Sequence, residues 1–217
     1  MKIIKACFII EDEINGEEIL KKLEKAGRTC YKSEEKMGEK SSHAFVEKII
    51  KSGHETILEH EKITVRVICD RGVTHEIVRH RIASYSQEST RYCNYSADKF
   101  GREITIVEPC FWITKGAWHN ITDEDVPKRA VWREAMEFAE KSYLKLIELG
   151  ATPQEARSVL PNSLKTEIVM TMNLREWRHF FRLRCSPKAH PQMREIAIPL
   201  LEEFQKLIPV VFDDISV

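Results

Sequence analysis

The sequence predicts an α+β fold in a single domain over residues 1–217: a small mixed or mostly antiparallel sheet flanked by helices, one of them long. Three observations carry this reading. Residues 63–69, Ile-Thr-Val-Arg-Val-Ile-Cys, alternate and are β-branched, the pattern of a half-buried strand. Apolar residues recur instead at helical spacing through 16–27, 41–53, 122–150, 174–184 and 191–207. No repeat, linker or composition break divides the 217 residues, of which 42% are hydrophobic and 31% charged, with 8 Gly and 8 Pro.

In chain order, Lys2–Ile10 is short and rich in β-formers and reads as one strand. Ile19, Leu20 and Leu23 set the first helix, with Gly27 as its stop. Ser41 and Ser42 offer an N-cap to a helix carrying Phe45, Val46, Ile49 and Ile50, which ends at Gly53. After the 63–69 strand, Val73, Ile77 and Val78 return to helical spacing. Residues 84–96, rich in Ser, Tyr and Asn, read as a loop, and 103–107 as a second strand. Thr122-Asp-Glu-Asp125 is a capping-box-like entry to the long helix, with Pro127 in the first turn and Gly150 at the end. Its stripe takes Val131, Ala135, Phe138 and Leu146 but also Trp132, Met136 and Tyr143. Apolar cover that wide predicts packing on a core and on another subunit. Thr152 opens a short helix that must end near Pro161. Residues 166–172 form a third strand, 174–184 an amphipathic helix and 191–207 the last helix.

Charge and cysteine usage exclude several functions. Lys plus Arg equals Asp plus Glu at 34 each, so no global field holds a polyanion or an anionic membrane. No stretch is long and apolar enough to span a bilayer, and the first residues carry no leader pattern, so the expected location is cytoplasmic. Six Cys stand far apart with no Cys-x-x-Cys, which predicts free thiols and no metal site built on them. His54, Glu59 and His60 have the wrong spacing for one helical face and no third histidine or cysteine at hand, and His75 lacks a second His four residues on, so no metal is expected.

The distribution of charge says more. Of 15 Arg, five fall between Arg66 and Arg91 and six between Arg157 and Arg194, windows holding only Lys165 and Lys188 of the 19 Lys. Arg is the planar fork that grips phosphates and carboxylates, so two Arg-rich segments suggest walls of one anion site. The plainer alternative is helix–helix salt bridges. The densest segment, Arg79 to Tyr92, passes from cationic residues into hydroxyls closed by Arg91, the equipment for a phosphate. Ser89 lacks both a nucleophile elbow and a neighbouring base, which favours a phosphate contact over nucleophilic attack. Read as helical, Arg79 and Arg81 project about 200° apart. Either two anionic ligands then flank the helix or one arginine serves a neighbouring chain, and both favour an oligomer with sites at its interfaces.

Arg79-His80-Arg81, seven residues, then Ser89 resembles the Arg-His-Arg-x7-Ser signature of the flavin-dependent thymidylate synthases, continued by Arg91-Tyr92. Gly53-His54-Glu55-Thr56 with Glu59-His60 is similar to that family's upstream flavin segment. Arg157-Ser-Val-Leu-Pro161 is similar to its Arg-x-x-Leu-Pro element, and Asn173-Leu-Arg175 with Arg184, His190 and Gln192 to its C-terminal flavin and nucleotide segment. Glu76 stands where many members carry Gln, and His179 where many carry Asn.

The resemblance implies reductive methylation of dUMP to dTMP, with methylenetetrahydrofolate as carbon donor, FAD reduced by NADPH as hydride carrier, and tetrahydrofolate released. It also implies a homotetramer with shared active sites. By the same resemblance Glu76, Arg79, Gln87, Ser89, Thr90, Arg91, Arg157 and Arg184 would bind dUMP. His54, Thr56, Arg79, His80, Arg81, Gln87, Asn173, Arg175 and His179 would bind FAD. Arg184 would be catalytic, its guanidinium stabilising the deprotonated uracil without a cysteine nucleophile. Two other classes compete. An Arg-rich nucleotide- or nucleic-acid-binding module stacking bases on Tyr85, Tyr92 and Tyr95 is opposed by zero net charge, and a metal-dependent nucleotide hydrolase by the lack of a ligand cluster.

Overall fold

The computed structural model describes residues 1–112 and 125–217, and the fold is α+β. The strands are β1 (Lys2–Ile4), β2 (Cys7–Ile10), β3 (Lys62–Asp70), β4 (Ala83–Gln87), β5 (Thr105–Val107) and β6 (Lys165–Asn173). The helices are α1 (Gly16–Arg28), α2 (Ser41–Lys51), α3 (Arg71–Ile77), α4 (Asp125–Glu148), α5 (Pro153–Ala156), α6 (Leu174–Arg184), α7 (Pro191–Leu207) and α8 (Pro209–Phe212). Short 3-10 turns join several of them. None of the described helices is long and apolar enough to cross a membrane.

The alternating stretches 63–69 and 166–172 become the two central strands. In β3, Ile63, Val65, Val67 and Cys69 are buried, and in β6, Thr166, Ile168, Met170 and Met172 are, as a period of two requires of a sheet with one face on a core. The four-stranded order is β2-β3-β6-β4.

Four expectations need correction. Residues 2–10 are two strands in different sheets: β1 pairs in parallel with β5, Lys2 opposite Thr105 and Ile4 opposite Val107, while β2 joins β3. A local pattern cannot report this, because partner choice is non-local. The supposed loop from Ser84 begins as β4, an edge strand whose Ser residues alternate with half-buried Ala83 and Tyr85; polar edge strands lack the apolar signal that marks a strand. Gly27 does not stop α1. A Cβ there would lie 2.5 Å from the Phe45 ring and 2.7 Å from Ile57, so this glycine permits close packing. Finally, α3 ends at Ile77, so Arg79 lies in a turn and Arg81 in the irregular stretch before β4. The 200° argument for opposed helical arginines therefore falls. By contrast, α2 does end with Gly53 in the left-handed region at φ 71°, as its C-terminal signal predicts.

The chain forms two compact units, each threaded from three segments. One comprises Met1–Cys7, Val67–Arg79 and Ser86–Ile168; the other comprises Phe8–Arg66, His80–Tyr85 and Val169–Val217. The first has its core around Ile104, Ile106, Trp132, Met136, Tyr143 and Leu164. Along α4, whose 24 residues span roughly 36 Å, Trp132, Met136 and Tyr143 turn inward. Val131 and Phe138 stay 68% and 73% exposed. The capping residues Thr122 to Glu124 and the residues Trp118 and His119 lie outside the described residues.

The second unit is built on aromatic rings. Trp177, Phe181, Phe204 and Phe212 are fully buried, with centroids 5.0–5.8 Å apart, each contributing roughly 2–3 kcal/mol by burial. The Trp177 indole donates to the Ile63 carbonyl at 3.0 Å, so this ring is core and does not cover a ligand. All six cysteines are free thiols.

Candidate active site

The first unit gathers Glu76, Arg79, Gln87, Ser89, Thr90, Arg91 and Arg157. Helix α3 is anchored by its N-cap, with the Asp70 carboxylate accepting from the Val73 amide at 2.9 Å. One turn on, the buried Thr74 hydroxyl donates to the Arg71 carbonyl at 2.8 Å. That hydroxyl has one proton, so toward Gln87 it can only accept. The Gln87 amide nitrogen is therefore the group that meets Thr74, at 3.0 Å, and also Thr166, at 3.3 Å. With the nitrogen so held, Gln87 offers a ligand its carbonyl oxygen, an acceptor. Glu76 is half-buried on α3, and Arg79 is exposed just beyond it.

From β4 the chain enters a tight turn. Ser89 Oγ accepts from the Arg91 amide at 3.3 Å, and the Ser89 carbonyl accepts from the amides of Tyr92 and Cys93. None of these three bonds uses the Ser89 hydroxyl proton, which can still be donated to an anion. Thr90 is buried beneath the turn. Arg91 Nε donates to Gln154 Oε1 at 3.1 Å, and its guanidinium lies 5.3 Å from the centre of the Tyr92 ring. This ties the turn to α5 at Gln154, three residues before the exposed Arg157. Behind them Glu88 accepts from the Tyr95 hydroxyl and from Lys165. Burial pushes the Lys165 ammonium down, but its bonds to Glu167 and Glu88 outweigh this and raise it.

The second unit gathers the other eight residues along α6. Asn173 is the N-cap, its Oδ1 accepting from the Glu176 amide at 2.8 Å, which leaves the amide nitrogen to donate elsewhere. Two ion pairs dock the segment bearing His54 and Thr56 onto this helix: Arg175 with Glu59 at 2.5 Å and the fully buried Arg178 with Glu55 at 3.2 Å. Arg178 also forms a bidentate pair with Asp214, at 2.6 and 2.7 Å, and donates to the Val211 carbonyl. His54, at the rim of an open cleft with Arg28, Lys48 and Phe45, and Thr56 are exposed.

His80 is 3% exposed, while Arg81 beside it is exposed. The His80 ring sits against Phe180 at 5.0 Å and His179 at 5.5 Å between centroids. Its Nδ1 lies 3.0 Å from Glu176 Oε1, and its Nε2 lies 3.0 Å from Arg184 Nε. Burial, then the neighbouring Arg184 and His179, pulls the His80 pKa down to about 4, so this ring is neutral at neutral pH. Burial raises the Glu176 carboxyl and pushes the Cys185 thiol up to about 12, which leaves Cys185 an inert thiol. Ligand-type atoms of His80, Glu176 and His179 fall within 4.8 Å of one another, a grouping that sequence spacing did not suggest.

Two residues of this site escaped sequence reading. Glu176 follows Asn173 at the spacing of a capping box, so it reads as part of the helix start, whereas its carboxylate meets His80. Arg178 reads as one more surface cation of an Arg-rich helix.

The family described as thymidylate synthase complementing protein matches residues 14–210. The flavin-dependent thymidylate synthase of Geobacter sulfurreducens is 35% identical over 196 residues, covering 87% of this chain and 78% of that one. That of Corynebacterium glutamicum is 34% identical over 223 residues, covering 94% and 82%. That of Pyrococcus abyssi is 38% identical over 173 residues, covering 79% of this chain and 66% of that longer one. The fold matches a crystal structure of PolB, a UMP/dUMP methylase from Streptomyces cacaoi bound with 5-Br UMP. The TM-score is 0.77 at 20% identity, covering 98% of this chain and 95% of that one.

Proposed function

Because the chain belongs to the thymidylate synthase complementing protein family, of the flavin-dependent thymidylate synthases, we propose that it converts dUMP to dTMP by reductive methylation. The observation that carries this reading is the composition of the two residue groups. One offers Arg91, Arg157 and the Ser89 hydroxyl on a tight turn, donors suited to a nucleotide phosphate. The other offers Arg81, Arg175, the Asn173 amide and His54, a donor set that fits the diphosphate and ring edge of FAD. Reduced by NADPH, a flavin held there supplies the hydride, while methylenetetrahydrofolate supplies the carbon and leaves as tetrahydrofolate. Glu76, Arg79, Gln87, Ser89, Thr90, Arg91, Arg157 and Arg184 are assigned to dUMP. His54, Thr56, Arg79, His80, Arg81, Gln87, Asn173, Arg175 and His179 are assigned to FAD. A buried, neutral His80 suits the donor Arg184, whose charge is assigned to the uracil ring.

The same reading makes residues 1–217 one functional domain, supported by units that no single cut would separate, and the cytoplasm its location. A homotetramer is proposed on the exposed apolar face of α4, where Val131, Ala135 and Phe138 point away from the buried Trp132 and Met136. The purified protein should show a flavin absorption spectrum and elute as a tetramer by light scattering. It should form dTMP from dUMP, methylenetetrahydrofolate and NADPH. A flavin-bearing 25.3 kDa monomer would sink the shared-site assembly, and a colourless protein forming no dTMP would sink the reaction.

The role of Ser89 is separable from the rest. With Ser89 binding phosphate, Ser89→Ala should weaken dUMP by roughly 1–2 kcal/mol and leave turnover at saturation largely intact. Isothermal titration with dUMP beside steady-state rates checks this. Lost turnover at unchanged affinity would make Ser89 a nucleophile instead.

A further inference from the structure

We infer that Glu176 is a positioning residue for Arg184, acting through the tautomer of His80. The inference rests on the reading of Arg184 as the group that meets the uracil. Glu176 and Arg184 lie at opposite ends of α6, eight residues and so about 12 Å apart along its axis. His80, from a different segment, bridges them.

Arg Nε–H is a donor and nothing else. Across the 3.0 Å contact with Arg184, His80 Nε2 must therefore present its lone pair. Held neutral by burial, the ring then carries its one proton on Nδ1, which faces Glu176 Oε1 at 3.0 Å. The carboxylate is the acceptor that makes this tautomer the favoured one. The ring's position is set independently by its contacts with Phe180 and His179 and by the Tyr85 hydroxyl donating to the His80 carbonyl at 2.6 Å. Without Glu176, either nitrogen can carry the proton. In the Nε2–H form two donors face each other and Arg184 is turned away. The logic is that of a triad aspartate, which keeps its histidine in one tautomer and whose amide replacement costs rate through the wrong one. Here the group so oriented is a guanidinium rather than a nucleophile.

The test combines NMR of flavin-loaded enzyme carrying 15N-histidine with single-turnover dTMP formation at saturating dUMP. The parent should show His80 protonated at Nδ1. Glu176→Ala should populate the Nε2–H form and slow the single turnover by on the order of tenfold or more, with dUMP affinity changed far less. Glu176→Gln, whose amide can turn its NH2 toward Nδ1 and donate to it, should likewise populate the Nε2–H form and slow the single turnover, as the amide replacement of a triad aspartate does. If Glu176→Ala fails to fold, the parent spectrum and Glu176→Gln still decide. Nε2-protonated His80 in the parent, Glu176→Ala at the parent's rate, or a rate that falls in either variant while His80 stays protonated at Nδ1 would each overturn the inference. Because the tautomer is read without turnover, a parent that makes no dTMP counts against the proposed reaction, separately from these results.

Discussion

Arg184→Ala should raise the barrier to methylene transfer by on the order of 3 kcal/mol or more, a rate loss above roughly 100-fold, while dUMP affinity falls far less. Negative charge grows on the uracil only as the ring becomes the nucleophile, so a fixed cation against it favours that state over the bound ground state. The guanidinium is suited to this because its Nε donates to His80 at 3.0 Å, which fixes the plane of the fork. Arg184→Lys should recover only part of the rate, since an ammonium cannot hold His80 and present a planar face at once. Flavin should still bind, its assigned contacts being other residues. Single-turnover dTMP formation by pre-reduced enzyme, with a separate dUMP titration, divides the two effects. If Arg184→Ala matches the parent at saturating dUMP, Arg184 only binds, and activation of the uracil belongs to another group.

The second large effect is on stability. Asp214→Ala should destabilise the protein by about 2–3 kcal/mol, because it leaves the fully buried Arg178 with a single carboxylate, Glu55, and one carbonyl. This is below the worst case for a broken buried pair because Asp214 itself is 45% exposed. A loss of that size lowers Tm by about 4–12 °C for a chain of this length. Asp214→Asn, which keeps one acceptor, should lie between. Hydrogen bonds from Arg178 hold the Asp214 carboxyl below its ordinary range. Its contribution is therefore present at neutral pH and is lost as pH falls through the lowered value. The gap between parent and Asp214→Ala should close in acid, which thermal melts from pH 7 downward will show. A melting difference under 1 °C at pH 7 would mean Arg178 finds compensation elsewhere.

Local periodicity was enough to mark β3, β6, α6 and α7, because burial on one face leaves a period in the residues themselves. The chemistry of the site was legible for a similar reason. Hydroxyls beside arginines, from Arg79 to Arg91 and again from Arg157 to Arg184, are recognisable without knowing where the chain turns. Three things were not legible in that way. Residues 2–10 divide between two sheets because β5 and β3 lie far along the chain, and nothing within the segment encodes its partners. Gly27 has the local look of a helix stop, whereas its missing Cβ makes room for Phe45. And Arg79 with Arg81 formed a helical pair only on the assumption that α3 continues past Ile77.

The decisive relations at the site are of that second kind. An acid three residues after Asn173 satisfies the rule for a helix start, and only the folded chain delivers His80 to that carboxylate and to Arg184. Arg178 has the sequence context of any surface cation, yet the return of the C-terminal segment encloses it with Asp214. Residue type and spacing determine which groups this protein carries and which chemistry they can perform. Which proton sits on which nitrogen, and which charge must be paired, depends on neighbours tens of residues away, because hydrogen bonding and desolvation act through space over a few ångströms and not along the chain.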